Sequence, residues 1–143
     1  MNRWLVGLLA LSLIWPWPAI ALDLQGLYEQ ALSASRSGDF VQALPLWDQV
    51  LEQSPRDSAA LSNRGNVRLA LGDLDGAIAD QTRSIELAPD EADPHLNRGT
   101  AEEALQDWPA AAADYLWILE RQPDDASALY NLGNVRGSEG DWN

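Results

Sequence analysis

The chain has 143 residues, nine arginines, 22 acidic residues and a net charge of -13, with neither lysine nor cysteine. Its length suits one ordinary domain, and a hydrophobic content of 46% argues against disorder. The negative charge argues against nucleic acid and anionic membrane surfaces and favours a neutral or basic protein partner, while the lack of cysteine excludes disulfides and thiolate metal sites.

Residues 1–21 have the layout of a secretory signal peptide. Arg3 supplies the positive charge, residues 5–14 form an apolar run, and Ala19-Ile20-Ala21 is a small-x-small cleavage pattern. The run is shorter than the roughly 20 residues that a spanning helix needs. We therefore expect an exported chain cleaved after Ala21, without a stable membrane span; the alternative is an uncleaved N-terminal anchor.

From residue 22 onward, several residue types recur every 34 positions without insertion. They are small residues and helix-ending prolines, at Gly65, Gly99, Gly133, Ala43, Ala77, Ala111, Pro55, Pro89 and Pro123. Such a period is typical of stacked two-helix units. We predict units at 22–57, 58–91 and 92–125, followed by the first helix of an incomplete unit at 126–143.

Each unit is predicted to be a helical hairpin. Apolar residues have helical spacing in residues 59–71 and again in 74–87. Between them Gly72 can end the first helix in a left-handed conformation and Asp73 can cap the second. Pro89 then stops the second helix.

Local departures from this pattern lie in the third and first units. Asp93 and Asp107 are predicted N-caps, each followed by a proline in the first turn, where its missing N–H is tolerated. In the first unit Ala31 takes the place of the glycine. Pro45 falls inside the second helix there, so we expect a bend or a late helix start.

The recurring glycine and alanine are predicted contacts between the two helices of a hairpin. Helices cross closely only where side chains are small, so Gly65 is expected to meet Ala77, and Gly99 to meet Ala111. A bulky residue at these places would cost ~1–3 kcal/mol or more through overpacking. The glycines are therefore expected to matter first for packing.

A charged pair accompanies each glycine. Arg64 and Arg98 precede the glycines, and Asp80 and Asp114 follow these arginines 16 residues later on the second helix. We predict one ion pair within each hairpin, structural rather than functional. An exposed pair of this kind contributes ~0–1 kcal/mol.

These recurring residues resemble the tetratricopeptide repeat family over essentially all of residues 24–143. The clearest matches are Asn131-Leu132-Gly133-Asn134 and the alanine and proline spacing, and the first unit departs most. The resemblance implies an all-α fold, a right-handed α-solenoid of three complete hairpins and one further helix. It also implies that the first helix of each unit lines an inner groove.

By that resemblance the groove would present uncharged side chains, at Tyr28, Ser62, Asn63, Asn66, Leu96, Asn97, Thr100, Tyr130, Asn131 and Asn134. Asparagine amides suit the backbone of an extended peptide. The alternative is that Asn63, Asn97 and Asn131 only satisfy backbone groups between helices. One subtype of the family clamps a C-terminal carboxylate with lysines and arginines, and that clamp is not expected because these positions hold neither.

Catalytic, metal and cofactor sites are not expected, and the chain is predicted not to be an enzyme. The single histidine, His95, is expected to be packed or on the surface. Acidic pairs such as Glu102-Glu103 are expected to be caps or solvated charges rather than acid/base pairs. Trp47, Tyr115 and Trp117 fall on second helices, where core packing is the expected role.

The C-terminus predicts an unfinished unit. Gly140, Asp141 and Trp142 repeat the pattern that begins a second helix, but that helix lies outside the sequence. Leu129, Leu132 and Val135 would then lack their usual cover. We expect the chain to be a fragment of a longer array; the alternative is that this face meets a partner or a second copy.

Together these features predict an exported interaction scaffold or assembly factor. Residues 69–89 and 131–137 also resemble cyanobacterial tetratricopeptide proteins similar to a family of the chloroplast lumen. That resemblance implies the thylakoid lumen or periplasm and a role in photosynthetic-complex assembly. Two alternatives are the docking arm of a longer enzyme, with its catalytic domain beyond residue 143, and a structural spacer without a ligand.

Overall fold

The computed structural model describes residues 24–139, which form seven α-helices and no strand. In chain order they are α1 (Leu24–Arg36), α2 (Phe40–Gln53), α3 (Ser58–Ala70), α4 (Leu74–Leu87), α5 (Ala92–Ala104), α6 (Trp108–Arg121) and α7 (Ala126–Glu139). None of these helices is both long enough and apolar enough to cross a membrane. The predicted signal peptide and the Gly140-Asp141 pattern lie outside the described residues.

Consecutive helices pack as three hairpins, α1–α2, α3–α4 and α5–α6, and α7 packs against α6. The predicted all-α helical-repeat solenoid is therefore confirmed. Successive first helices also touch one another, α1 with α3, α3 with α5 and α5 with α7. Within residues 24–139 the second helices α2, α4 and α6 make no such contacts with each other. The array therefore curves with its first helices on the inner side.

The turn inside each hairpin uses the same chemistry every 34 residues. Gly38 and Gly72 have φ angles of +79° and +83°, and Gln106 adopts +62° at the same place in the third hairpin. Glycine enters this left-handed region without the steric penalty that glutamine has to bear. An aspartate side chain then accepts a backbone N–H at the start of each second helix, at Asp39, Asp73 and Asp107.

Two local predictions are wrong. Helix α5 begins at Ala92, with Glu91 at the N-cap position, so Asp93 lies in the first turn instead of capping it. Glu91 occupies the place that the capping residues Asp57 and Asp125 have in the neighbouring units, and the repeat frame sets the helix start there.

Helix α2 runs without a break from Phe40 to Gln53 through Pro45, so of the bend or late start expected there, the late start is wrong. The proline removes the donor that would have bonded the carbonyl of Val41. Val41 is 75% exposed, so water can reach the carbonyl that lost its donor. The helix therefore continues through the proline with one backbone hydrogen bond missing.

Buried apolar residues form two clusters, one in the first two hairpins and one around α6 and α7. Trp47 and Tyr115 are fully buried, as expected, and Trp117 packs against the second cluster. Pro55, Pro89 and Pro123 are exposed in the turns between hairpins. Each directly follows the C-cap residue of a second helix, in agreement with the predicted helix-ending role.

Candidate functional site

An open cleft of about 430 Å³ lies on the inner side of the array, between α3 and α5. Its lining is mostly polar, and consists of Ser58, Ala59, Ser62, Asn63, Asn66, Ser84, Glu91, Asp93, Pro94 and Asn97. Five residues of α3 line the cleft, and positions 59, 62, 63 and 66 among them share one face of the helix. The cleft brings together four of the predicted groove residues, Ser62, Asn63, Asn66 and Asn97.

The structure places the other six predicted groove residues outside this cleft. Tyr28 lies on α1 beside Asp57, with its ring edge-on to Trp47 at 4.9 Å. Leu96 packs against the α6–α7 cluster, and the Thr100 hydroxyl donates to its carbonyl over 2.9 Å. The remaining three lie on α7, where Asn131 is half-buried and Tyr130 and Asn134 are exposed.

Helix α3 contributes two side-chain amides to the cleft, and they are hydrogen-bonded within the protein through opposite ends of the amide group. Asn63 Nδ2 donates to the carbonyl of Ala59 over 2.9 Å, which leaves its Oδ1 free to accept. Asn66 Oδ1 accepts from Gln81 Nε2 over 3.0 Å, which leaves its NH2 group free to donate. The cleft therefore offers an acceptor and a donor one helical turn apart.

The charges around the cleft are negative. Glu91 and Asp93 line it directly, and no arginine is among its lining residues in the described chain. Asp57 lies beside Tyr28 at the neighbouring surface of α1. Burial, and to a lesser extent the Asp57 carboxylate, raises the pKa of Tyr28, so its phenol stays protonated and able to donate.

A large side chain is the nearest neighbour of both Gly65 and Gly99, and Gly65 also meets the predicted Ala77. A Cβ at Gly65 would lie 2.7 Å from Gln81 Nε2 and 3.3 Å from the Ala77 carbonyl oxygen. A Cβ at Gly99 would lie 2.7 Å from the ring of Tyr115, and its three nearest atoms all belong to that ring. The expected contact of Gly99 with Ala111 is therefore wrong as the closest approach.

Gly133 differs from the other two packing glycines. A Cβ there would meet nothing within 4 Å, because no helix of residues 24–139 lies against this face of α7. Its predicted packing role therefore has no counterpart in the described chain.

The side chains that cross the small residues share one place in the repeat, 34 residues apart. Each is large with a polar tip, and each tip hydrogen-bonds to the first helix of its own hairpin. Trp47 Nε1 donates to Ser35 Oγ over 2.9 Å, Gln81 Nε2 to Asn66, and the Tyr115 hydroxyl to Glu103 Oε2 over 3.1 Å. Sequence reasoning missed this set, although the shared 34-residue spacing of the three positions was visible.

The predicted ion pairs are present. Arg64 contacts both carboxylate oxygens of Asp80 at 2.8 and 2.7 Å, and Arg98 contacts both oxygens of Asp114 at 2.7 and 2.8 Å. Each arginine also reaches the second helix of the preceding hairpin. Arg64 bonds Asp48 at 2.8 Å and Arg98 bonds Thr82 at 3.1 Å, so these side chains connect neighbouring hairpins as well.

His95 is buried in the third hairpin, in agreement with a packing role. Its Nδ1 lies 2.7 Å from Asp114 Oδ1, and its ring stacks on Trp117 at 3.8 Å. Glu102 is half-buried beside the same aspartate. Burial, and then the charge of Asp114, raises the pKa of Glu102 to about 7. Within residues 24–139 no group of histidine, cysteine and acidic residues is arranged to hold a metal ion.

The C-terminal face is less exposed than expected. Leu132 and Val135 are buried in the α6–α7 cluster, so the prediction that they lack cover is wrong. Leu129 alone among the three is exposed, at 51%, whereas Leu61 at the same place in α3 is 5% exposed. Helix α6 covers one side of α7 and leaves the Leu129–Gly133 side open.

Comparison with known proteins agrees with this geometry. The sequence model of the tetratricopeptide repeat matches residues 28–92 and 96–141. The chain belongs to the tetratricopeptide repeat family. Proteins of this family are typically non-catalytic interaction scaffolds.

Known proteins are similar to this tetratricopeptide chain in sequence or in fold. Tetratricopeptide repeat protein 36 of Danio rerio is 31% identical over 68 residues, which are 48% of this chain and 36% of that protein. The Arabidopsis OM64 TPR domain has a TM-score of 0.77 at 22% identity and covers 80% of this chain and 95% of its own. The first TPR of Spaghetti (RPAP3), bound to the HSP90 peptide SRMEEVD, has a TM-score of 0.78 at 21% identity, with coverages of 82% and 93%.

Proposed function

We propose that this tetratricopeptide chain is an exported interaction scaffold that holds an extended segment of a client protein in the α3–α5 cleft. The observation that carries the proposal is the pair of amides on α3. Asn63 offers an outward acceptor and Asn66 outward donors, one helical turn apart, on the concave side of the array.

An extended peptide suits this pair because its backbone alternates N–H donors and C=O acceptors. A client N–H can donate to Asn63 Oδ1 and a client C=O can accept from Asn66 Nδ2. Asn97 lies on the opposite wall, on α5, where its amide can bond the other edge of the same segment. Such contacts are made with the main chain of the client, so they are compatible with more than one client sequence.

The charge around the cleft selects against acidic clients. Glu91 and Asp93 would repel a carboxylate in the cleft, since it has no arginine in its lining to compensate. The Spaghetti domain is bound to SRMEEVD, a peptide with three acidic residues. The client proposed for this chain is instead neutral or basic.

The layout of residues 1–21 supports export, and the resemblance of residues 69–89 and 131–137 supports the thylakoid lumen or periplasm. In that compartment the scaffold would serve the assembly of photosynthetic complexes. Fractionation of source cells, with mass spectrometry of the mature N-terminus, tests both steps. Recovery of the chain in the cytosol with Met1 retained would contradict export.

Selection from a phage library of random dodecapeptides tests the cleft. The full chain is the target, and a variant with Asn63, Asn66 and Asn97 all changed to alanine is the counter-target. We expect enriched peptides of zero or positive net charge that bind the native chain with micromolar Kd and the variant at least about tenfold more weakly, as for the loss of two or three net hydrogen bonds. Enrichment of no peptide, or equal binding to both proteins, would contradict the proposal.

A further inference from the structure

Gln81 is buried behind the cleft, with 1% of its surface exposed. It lies on α4, and its side chain passes over Gly65 to reach the cleft side of α3. There Nε2 donates to the Ser62 carbonyl and to Asn66 Oδ1, both over 3.0 Å. Gln81 therefore contacts the cleft amide from inside the hairpin without lining the cleft itself.

The orientation of both amides follows from the Ser62 carbonyl. A backbone carbonyl oxygen can only accept a hydrogen bond, so the atom of Gln81 that faces it must be the nitrogen. The Asn66 atom facing that same nitrogen must in turn be an acceptor, which is Oδ1. The NH2 group of Asn66 is thereby directed away from Gln81, on a side chain that lines the open cleft.

We propose that Gln81 is a positioning residue for the cleft, which holds the Asn66 amide with its two N–H donors toward the client. This inference rests on the proposed function, because it specifies that the Asn66 side chain of α3 donates a hydrogen bond to a carbonyl of the client. Without Gln81 the Asn66 amide could rotate and present oxygen and nitrogen alternately. A bound client would then have to fix the orientation of this amide, and this ordering would lower its affinity.

The second polar atom of the Gln81 side chain, Oε1, indicates that the glutamine is not at this position for its contribution to the stability of the fold. Oε1 is buried and has no hydrogen-bond partner within the described chain. A buried acceptor without a partner lowers the stability of the fold. An apolar side chain of the same size would fill the space without that penalty. Retaining an amide there is explained by the bond to Asn66.

The equivalent positions in the other hairpins do not reach the cleft. Trp47 bonds Ser35, and Tyr115 bonds Glu103, neither of which lines it. Gly65 completes the arrangement, since a Cβ there would come within 2.7 Å of Gln81 Nε2 and displace the amide. Among the hairpins of residues 24–139, the positioning role therefore belongs to the Gly65–Gln81–Asn66 set.

Gln81→Met tests the role because methionine keeps the length and volume and removes both amide groups. The probe is the tightest phage-selected dodecapeptide, acetylated and amidated. We expect Gln81→Met to raise its Kd about three- to tenfold, the range for one net hydrogen bond, without lowering Tm. In the Asn66→Ala background the same change should leave Kd unaltered, because Gln81 acts through Asn66.

Two further variants make the test specific. Gly65→Ala displaces the Gln81 amide by another route and should raise Kd by a similar factor. Tyr115→Phe is the matched control, because it removes the corresponding hydrogen bond of the next hairpin. It should leave Kd unchanged. Equal Kd values for the native chain and Gln81→Met would overturn the inference, as would an equal loss in the Asn66→Ala background.

NMR of the side-chain amides separates this inference from the proposed function. In the free protein the Asn66 NH2 resonances should be dispersed, and Gln81→Met should bring them to the shifts of a freely rotating amide. If no peptide binds, the proposed function fails, while this change still supports the positioning of Asn66. Unchanged Asn66 resonances in Gln81→Met would overturn the positioning, whether or not a peptide binds.

Discussion

The contrast between Gly99 and Gly133 gives a sharp test of how the hairpins close. Both glycines occupy the same place in the repeat, inside a first helix. A Cβ at Gly99 would lie 2.7 Å from Tyr115 Cε1 and 3.0 Å from Cζ, whereas a Cβ at Gly133 would meet nothing within 4 Å. Changing each to alanine therefore adds the same methyl group, at Gly99 against the Tyr115 ring and at Gly133 into unoccupied space.

The size of the effect follows from two terms. Alanine is favoured over glycine inside a helix by ~1 kcal/mol, and this gain is common to both variants. At Gly99 the Tyr115 ring must also move by several tenths of an ångström, although it is fully buried. Overpacking of this kind costs ~1–3 kcal/mol. The helix term cancels in the comparison, so Gly99→Ala should be less stable than Gly133→Ala by about 1–3 kcal/mol.

Urea unfolding followed by circular dichroism at 222 nm measures this difference directly. Gly133→Ala should be as stable as the native chain or more stable, and Gly99→Ala should be the least stable of the three. Equal stability of the two variants would refute the reasoning that Tyr115 closes on Gly99. Gly99→Leu should be lower still, because it adds three more buried carbon atoms at the same contact.

Two further perturbations test the polar interior. The pKa of Glu102 is about 7 in the fold against 4.5 for a free side chain, so the folded state binds more protons between these values and its stability falls as pH rises through that window. Glu102→Gln should remove this decline in the free energy of unfolding, which amounts to about 1–2 kcal/mol once screening by solvent is included. Urea midpoints that fall equally with pH in the native chain and in Glu102→Gln would contradict this prediction. Asp80→Ala leaves Arg64 and Arg68 without their shared acceptor and should cost about 2–4 kcal/mol in thermal or urea unfolding, whereas Asp48→Ala, at a more exposed partner, should cost under about 1 kcal/mol.

The features that the sequence predicted well are those repeated at a fixed spacing. The 34-residue period located the hairpins, the turns at Gly72-Asp73 and the pairs Arg64–Asp80 and Arg98–Asp114, because helix geometry converts such spacing into contacts. Helix α4 coincides with the predicted 74–87 segment for the same reason. Regular local structure and its charge partners were therefore accessible without coordinates.

The features that the sequence did not predict depend on which side chain packs against each small residue at the contact between two helices. The period showed that Gly65 and Gly99 needed small neighbours, but not that Gln81 and Tyr115 would cross them. Gln81 is an amide where Trp47 and Tyr115 are aromatic, so the 34-residue spacing alone did not indicate that its polar tip would contact the cleft residue Asn66. Of the ten predicted groove residues, only the four on the facing sides of α3 and α5 line this cleft. The other six lie on α1, on α7 or elsewhere on α5, and the 34-residue period alone does not show which groove positions share a cleft.

The proposal of a client-binding cleft is tested most directly by NMR titration of the ¹⁵N-labelled chain with the selected dodecapeptide. The side-chain amides of Asn63, Asn66 and Asn97 and the backbone of α3 and α5 should shift together, with a single micromolar Kd. The open side of α7 around Leu129 should remain unperturbed. Shifts confined to α7 or to the second helices, with the three asparagine amides unchanged, would contradict the account.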